Sequence, residues 1–433
     1  MTATFLEELE ATKPVRAGNE PEWLVALRRL AWERFNAIGF PTTRNEDWRF
    51  TSVAPITQAT FGRAPSHGSR TIPLDLLEGL RLPNTTELVF VNGFLVPELS
   101  VVSSSGLSVT TLAPALRRND PDLAKTLGQV AAFTQNGFTA LNTALFTDGT
   151  LIRVRSGQQA LKPLHLVYLS LPGAEPSVSY PRVLIIAEPS STATVIETHS
   201  GPPGEQYFTN AVTEIAVGDN AAVEHIRIQR ESEKAFHIAT VEVRQGRDSR
   251  FRSFSLAMGG ALARANIYSI MDGSGSDCSM NGLYLLHGTQ HIDHQTRIEH
   301  AQPNCTSREI YKGVLDGTSH GVFNGKVYVR PEAQKTDGKQ TNNNLLLSDG
   351  AKVDTKPQLE IFADDVKCTH GATVGRLDDL AVFYLESRGI RKSLARKLLT
   401  YGFAADVLGT IPHEEIRQRL ERLVFSRLDF PVA

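Results

Sequence analysis

A repeat of small polar turns restricts the fold of this chain more than any other feature of its sequence. Glu188-Pro-Ser-Ser, Gly218-Asp-Asn-Ala, Gly246-Arg-Asp-Ser, Gly275-Ser-Asp-Cys and Pro303-Asn-Cys-Thr each precede a short strand-like run, at intervals of 30, 28, 29 and 28 residues. Second breaks fall between them at Gly201-Pro-Pro-Gly, Ser232-Glu-Lys, Gly259-Gly260 and Gly288-Thr. The segments between turns, such as Thr213 to Val217, Val223 to Ile228 and Ala239 to Val243, are β-branched and alternate with period two, which is the pattern of strands. Each period therefore holds two strands and two turns. An all-strand repeat of this length is the signature of a solenoid, in which each coil buries its inner face on its neighbours. A β-sandwich also has many short strands but no reason to keep a near-constant period. Coils of a parallel solenoid stack equivalent positions, so the run Thr341-Asn-Asn-Asn is either an asparagine ladder or a solvated loop.

The flanks read differently. Asn19 is placed to cap a helix, with Glu22 three residues on and Pro21 in the first turn. Leu24, Leu27, Leu30, Ala31 and Phe35 then repeat at helical spacing, and Gly39 ends the run. The stretch Asn45-Glu-Asp-Trp-Arg-Phe-Thr51 is either a loop whose Trp48 packs down or a functional segment. Residues 52–160 are mixed. Glu87 to Val96 suggests two strands broken at Asn92-Gly93, and Thr139 to Val154 suggests a helix, a turn at Asp148-Gly149 and a strand. Helical signals return near Arg376, in Leu380 to Glu386, in Ser393 to Tyr401, and after Pro412, where Ile416, Leu420, Leu423 and Val424 recur at helical spacing. These last helices are expected to cap the open end of the solenoid and to leave surface for docking. The expected division is an N-terminal helical region at 1–85, a β-helix core at 86–375 and a C-terminal helical region at 376–433.

Composition narrows the function classes. Lys and Arg total 45 against 47 Asp and Glu, a net charge of −2, so no global field favours nucleic acid or an anionic membrane. No apolar run approaches the ~20 residues of a spanning helix, and the N-terminus lacks the pattern of a secretory signal, so a cytoplasmic location is expected. Three cysteines, Cys278, Cys305 and Cys368, are too few and too scattered for a disulfide framework or a closed zinc site. The sequence contains no P-loop, Gly-x-Ser-x-Gly elbow, His-Glu-x-x-His or Rossmann fingerprint. It is expected to bind no nucleotide and to catalyse no reaction of its own.

Two places carry candidate chemistry. His287, His291, Asp293, His294 and His300 crowd one region, with Cys305 beyond. On a strand His291 and Asp293 share a face and His294 takes the other. A metal-dependent β-helix or cupin-like enzyme using His287, His291 and His294 is the alternative function. The second place is Cys368-Thr369-His370. In an extended segment Cys368 and His370 share one face, about 7 Å apart. They form either a soft, iron-compatible pair, an activated thiol, or a buried cysteine beside a satisfied histidine.

Around this pair the sequence matches a known pattern. Phe323-Asn-Gly-Lys-Val-Tyr-Val329, Ala333-Gln-Lys-Thr-Asp337, Gln340, Asn344-Leu-Leu-Leu-Ser348, Pro357-Gln-Leu-Glu-Ile361, Ala363-Asp-Asp-Val-Lys-Cys-Thr-His-Gly-Ala-Thr-Val-Gly375 and Phe383-Tyr-Leu-Glu-Ser-Arg-Gly389 together resemble the SufB/SufD family, as does the 45–51 stretch. Cys368-Thr-His-Gly371 is similar to the D-type pattern, whereas the B-type carries Glu at the fourth position. Gly338 and Asn343 depart from it. The resemblance implies a right-handed parallel β-helix with helical ends. It also implies a non-catalytic scaffold in a complex with a SufB-like subunit and a SufC-like ATPase. His370, with Cys368 beside it, is then the candidate ligand for iron or a transient iron–sulfur cluster at the SufB-facing interface. The SufC-like partner is expected on the C-terminal helices, around Tyr384, Arg388, Leu398 and Phe403. Pairing of sheet edges through the last coils would also permit a homodimer of the isolated chain.

Overall fold

The computed structural model describes residues 20–65, 72–101, 108–118 and 120–428. Its centre is a parallel β-solenoid of about eight turns, in which every coil gives one strand to each of two sheets. Register follows the turn repeat. In one sheet Phe208 pairs with Phe236, Phe236 with Leu262, Leu262 with His291, His291 with His320 and His320 with Lys352, intervals of 28, 26, 29, 29 and 32 residues. In the other, Thr192, Ala222, Arg250, Asp277, Thr306, Asp337 and Lys367 form one row.

The turn chemistry explains the repeat. Ser190, Asn220, Asp248, Gly275, Asn304 and Lys335 all have positive φ, and they occupy equivalent corners of successive coils. Small polar residues tolerate this left-handed backbone better than others, which is why the corners are visible in the sequence. Lys335 is the exception in type. Each corner N–H also reaches the next corner, as in Ser190 N–H to the Asp219 carbonyl (2.8 Å) and Asn220 N–H to that of Arg247 (2.7 Å).

Strands of both sheets are apolar on two faces. Inward residues such as Val195, Ile215, Val241, Ile267, Met280 and Phe323 fill the lumen. The lumen is also polar in patches. Glu197 accepts from His225 Nε2 (2.7 Å) and from Thr213 (2.8 Å), and His237 sits 2.7 Å from Glu231, all fully buried. Outward residues need covers. The helices Glu22–Ile38 and Gly137–Leu145 lie over Phe208, Phe236, Ile238 and Leu262 of the first sheet. Trp48 joins this layer beneath the Arg264 guanidinium, 3.6 Å from its ring centre, and Thr51 bonds Asp293 (2.5 Å) and His291 (2.8 Å). The 45–51 stretch is therefore the clasp that holds the N-terminal region on the solenoid.

The helix Glu22–Ile38 ends at Gly39, φ 63°, as expected, but Pro21 is its N-cap rather than part of its first turn, and Leu30 of the expected stripe is exposed while Leu24, Leu27, Ala31 and Phe35 are buried; Asn19 lies outside the described residues. The strands Thr86–Val91 and Phe94–Leu95 flank the Asn92-Gly93 turn, and Thr86–Val91 pairs with Leu164–Leu169 as part of the second sheet.

One expectation is corrected. The helices Lys392–Leu408 and Glu414–Arg427 do not cap the end of the solenoid. They lie across the outer face of the second sheet, where Ala404, Val407, Leu408, Ile416, Leu420 and Val424 pack on Ile226, Ile228, Leu256, Leu283 and Leu285. That face is a broad aliphatic surface whose burial outweighs what covering one strand edge would gain. The last strands, Lys352–Ile361 and Lys367–Gly375, consequently keep a free edge among the described residues.

Candidate functional site

The open end is where Cys368 and His370 lie. Both sit on the edge strand Lys367–Gly375, and both continue inward-facing rows of the lumen. The Cys368 row runs Ala193, Val223, Phe251, Cys278, Ser307, Gly338, Cys368. The His370 row runs Val195, His225, Ser253, Met280, Glu309, Gln340, His370. Inner rows are buried in every earlier coil. In the last coil no further strand among the described residues covers them, so the alternation that hides a core residue elsewhere here presents Cys368 and His370 at the mouth. Cys368 is half-buried among Val327, Leu359 and Val366, and desolvation pushes its thiol pKa up. It is a neutral thiol at rest rather than an activated thiolate. His370 is exposed and forms no hydrogen bond among the described residues.

The floor of the mouth is polar. Gln340 Nε2 donates to Glu309 Oε2 at 2.6 Å, and burial raises the Glu309 carboxyl to about 7. Deeper, Asn342 donates to the Tyr284 hydroxyl (3.1 Å) and the Tyr311 carbonyl (3.2 Å), and Asn344 donates to Asn342 (2.7 Å). The asparagine run is thus neither a ladder nor a solvated loop. It is a lumen plug within one coil, tied to tyrosines of the coils below.

The alternative histidine site does not assemble. His287 lies at a coil corner against Arg427. His291 faces outward to Thr51, beside the His320 ring. His294 faces inward, between the rings of Tyr284 and Tyr311. The shared face of His291 and Asp293 is as expected, but it is the face the N-terminal clasp covers. No set of three His, Cys, Asp or Glu side chains converges as a metal centre among the described residues. Cys278 and Cys305 are fully buried, and Cys305 lies against Ser276 (3.2 Å).

The C-terminal helices offer a second exposed region. Tyr384 is exposed with the Arg388 guanidinium over its ring at 5.3 Å, and Leu398 is partly exposed. Phe403 is turned the other way, packed on the solenoid under Lys312 (4.6 Å), whose Nζ also bonds the Phe403 carbonyl. Its helical spacing could not distinguish a residue that anchors the helix from one that projects. Leu380 (77% exposed) and Phe383 (68%) project instead, on the helix Asp379–Ser387, and the sequence reading missed them. They stand one turn apart beside the exposed Tyr384 and form an apolar patch on the described surface.

Comparison with known proteins places these features in a family. Residues 170–403 match a family model described as "SUF system FeS cluster assembly, SufBD core domain", and residues 3–166 one described as "SufBD protein N-terminal region". A SufBD family protein of Synechocystis, named for iron–sulfur cluster assembly, is 34% identical over 97% of this chain and 95% of its own length. The iron–sulfur cluster assembly protein SufD of Escherichia coli is 34% identical over 90% of each chain, and that of Bacillus subtilis 27% identical over 94% of each.

Proposed function

This chain belongs to the SufBD family of iron–sulfur cluster assembly proteins, and on that premise we propose that it is a non-catalytic scaffold whose open solenoid end supplies half of a cluster-building site. The observation that carries the reading is the placement of Cys368 and His370. They are the last members of two inner rows, on a strand with a free edge. A sulfur and an imidazole there suit iron or a nascent iron–sulfur cluster as cargo. They are too few to hold it alone, so the remaining ligands come from a SufB-like subunit paired to the same edge. The projecting Leu380, Phe383 and Tyr384 are the surface for a SufC-like ATPase, which supplies the nucleotide site this sequence lacks. No helix of the described residues is long and apolar enough to cross a membrane.

The test is co-expression with SufB-like and SufC-like partners, followed by pull-down and anaerobic spectroscopy. His370→Ala is expected to keep the fold and complex formation, because the side chain is exposed, and to lower cluster yield severalfold. Unimpaired cluster assembly by His370→Ala would remove the site. A complex that fails to form with the wild-type chain would remove the partner assignment.

A further inference from the structure

The row beneath His370 contains a group that nothing else in the fold accounts for. Gln340 pairs directly with His370 across the last two strands of its sheet, and both side chains point into the lumen. Gln340 is 1% exposed. Its Nε2 is anchored downward on Glu309, its neighbour on the preceding coil, at 2.6 Å. The facing wall holds it there: a Cβ on Gly325 would lie 2.4 Å from Gln340 Nε2 and 2.9 Å from its carboxamide carbon, so the glycine makes the slot that the amide fills. With the nitrogen committed to the coil below, the carboxamide oxygen is directed away from it. That oxygen is fully buried and has no hydrogen-bond partner. An unmade bond of this kind is costly for a buried carbonyl. The residue at the same register one coil higher, about 4.8 Å away along the sheet, is His370.

We propose that Gln340 is a positioning residue for His370. One imidazole N–H turns inward and donates to Gln340 Oε1, and the other ring nitrogen, now an acceptor, faces the open mouth. A histidine that binds metal commonly donates its second N–H to a carbonyl or carboxylate behind it, which fixes both tautomer and ring orientation. Gln340 supplies that carbonyl, Glu309 orients Gln340, and Gly325 admits it. The inference rests on His370 as a ligand for a divalent metal or cluster, but its test does not depend on cluster assembly.

The experiment is ¹⁵N-histidine NMR on the full isolated chain at pH 8, above the Glu309 value, with His370 assigned by its loss in His370→Ala. In the wild type the tautomer ratio of His370 is expected to differ from that of free histidine by about fivefold, the preference one net hydrogen bond gives. Gln340→Met, similar in length but without the acceptor, is expected to return the ratio to that of free histidine. Glu309→Gln, which keeps an acceptor for Gln340 Nε2, is expected to leave it as in the wild type. A wild-type ratio equal to that of free histidine overturns the proposal and needs no variant. A folded Gln340→Met with the wild-type ratio overturns it as well. If instead the ratio behaves as expected while His370→Ala assembles clusters normally, positioning stands and the ligand reading falls.

Discussion

Gly282 stands in an inner row that reads Glu197, Arg227, Ser255, Gly282, Tyr311 and Asn342 along successive coils. Ser255 and Gly282 are the small residues that separate Arg227 from Tyr311 in this row. A Cβ on Gly282 would fall 2.3 Å from the Tyr311 ring, and Tyr311 cannot retreat because Phe323 packs on it at 5.1 Å. Gly282→Ala is therefore expected to cost about 1–3 kcal/mol, the usual penalty of overpacking, read as a lower denaturation midpoint with an unchanged slope. A variant as stable as wild type would mean that the lumen yields more than this packing allows. In the sequence Gly282 looks like any strand glycine. What makes it necessary is Tyr311, distant in sequence but adjacent by register.

Among elements, the strand Lys367–Gly375 joins the fold to its proposed role. Lys367 N–H bonds the Thr336 carbonyl (2.8 Å), so the backbone groups of Lys367 face the neighbouring strand. By alternation those of Cys368, His370, Ala372 and Val374 face the free edge. Ala372→Pro removes one outward N–H and no ladder bond, a change that edge strands tolerate. It is expected to keep the circular dichroism of the folded chain while weakening capture of a SufB-like partner, or self-association, at least tenfold. Unchanged capture would show that pairing does not use this edge. The C-terminal helices make the complementary point. Their apolar periodicity was legible, but periodicity gives only a face, and whether that face meets the end or the side of the solenoid depends on the outward row Ile228, Leu256 and Leu283, which is assembled from three separate coils.

The molecule as a whole buries ionisable groups along its length, and this sets how its stability varies with pH. Desolvation lowers His237, His291 and His300 to about 4 and His294 to about 3, from 6.5. Their neutral forms are favoured by folding, so the unfolded chain takes up protons first and stability falls as pH drops from about 6.5 towards 4. Desolvation raises Glu309 to about 7 and Glu242 to about 8, from 4.5. Here the folded chain holds the protons, so stability falls as pH rises from 4.5 through 7 and 8. Between 4.5 and 6.5 these histidines, together with His165 and His287, which burial also lowers, outnumber the two glutamates and stability rises. Above 6.5 the glutamates act, joined by His413, whose hydrogen bond to Glu224 raises its pKa and so adds to the fall. A stability maximum near pH 6.5 is expected in urea titrations at pH 5, 6.5 and 8. A monotonic rise to pH 8 would show that the two carboxyls ionise without penalty.

The solenoid, its period and its corners were written in the sequence, because a coil repeats the same local demand on backbone conformation and the left-handed corner accepts few residue types. The family resemblance and the Cys368–His370 pair were legible for a similar reason: they are contiguous in the chain. Local spacing also predicted correctly that His291 and Asp293 would share a face opposite to His294. It could not say that the 45–51 stretch covers that face, that Phe403 anchors its helix while Phe383 projects, or that Gln340 lies under His370. Those relations join residues tens or hundreds of positions apart. Tertiary structure decided them, through the stacking of coils, which turns a position within the period into a neighbour in space. It also left one end of the stack uncovered among the described residues, where side chains of two core rows reach the surface.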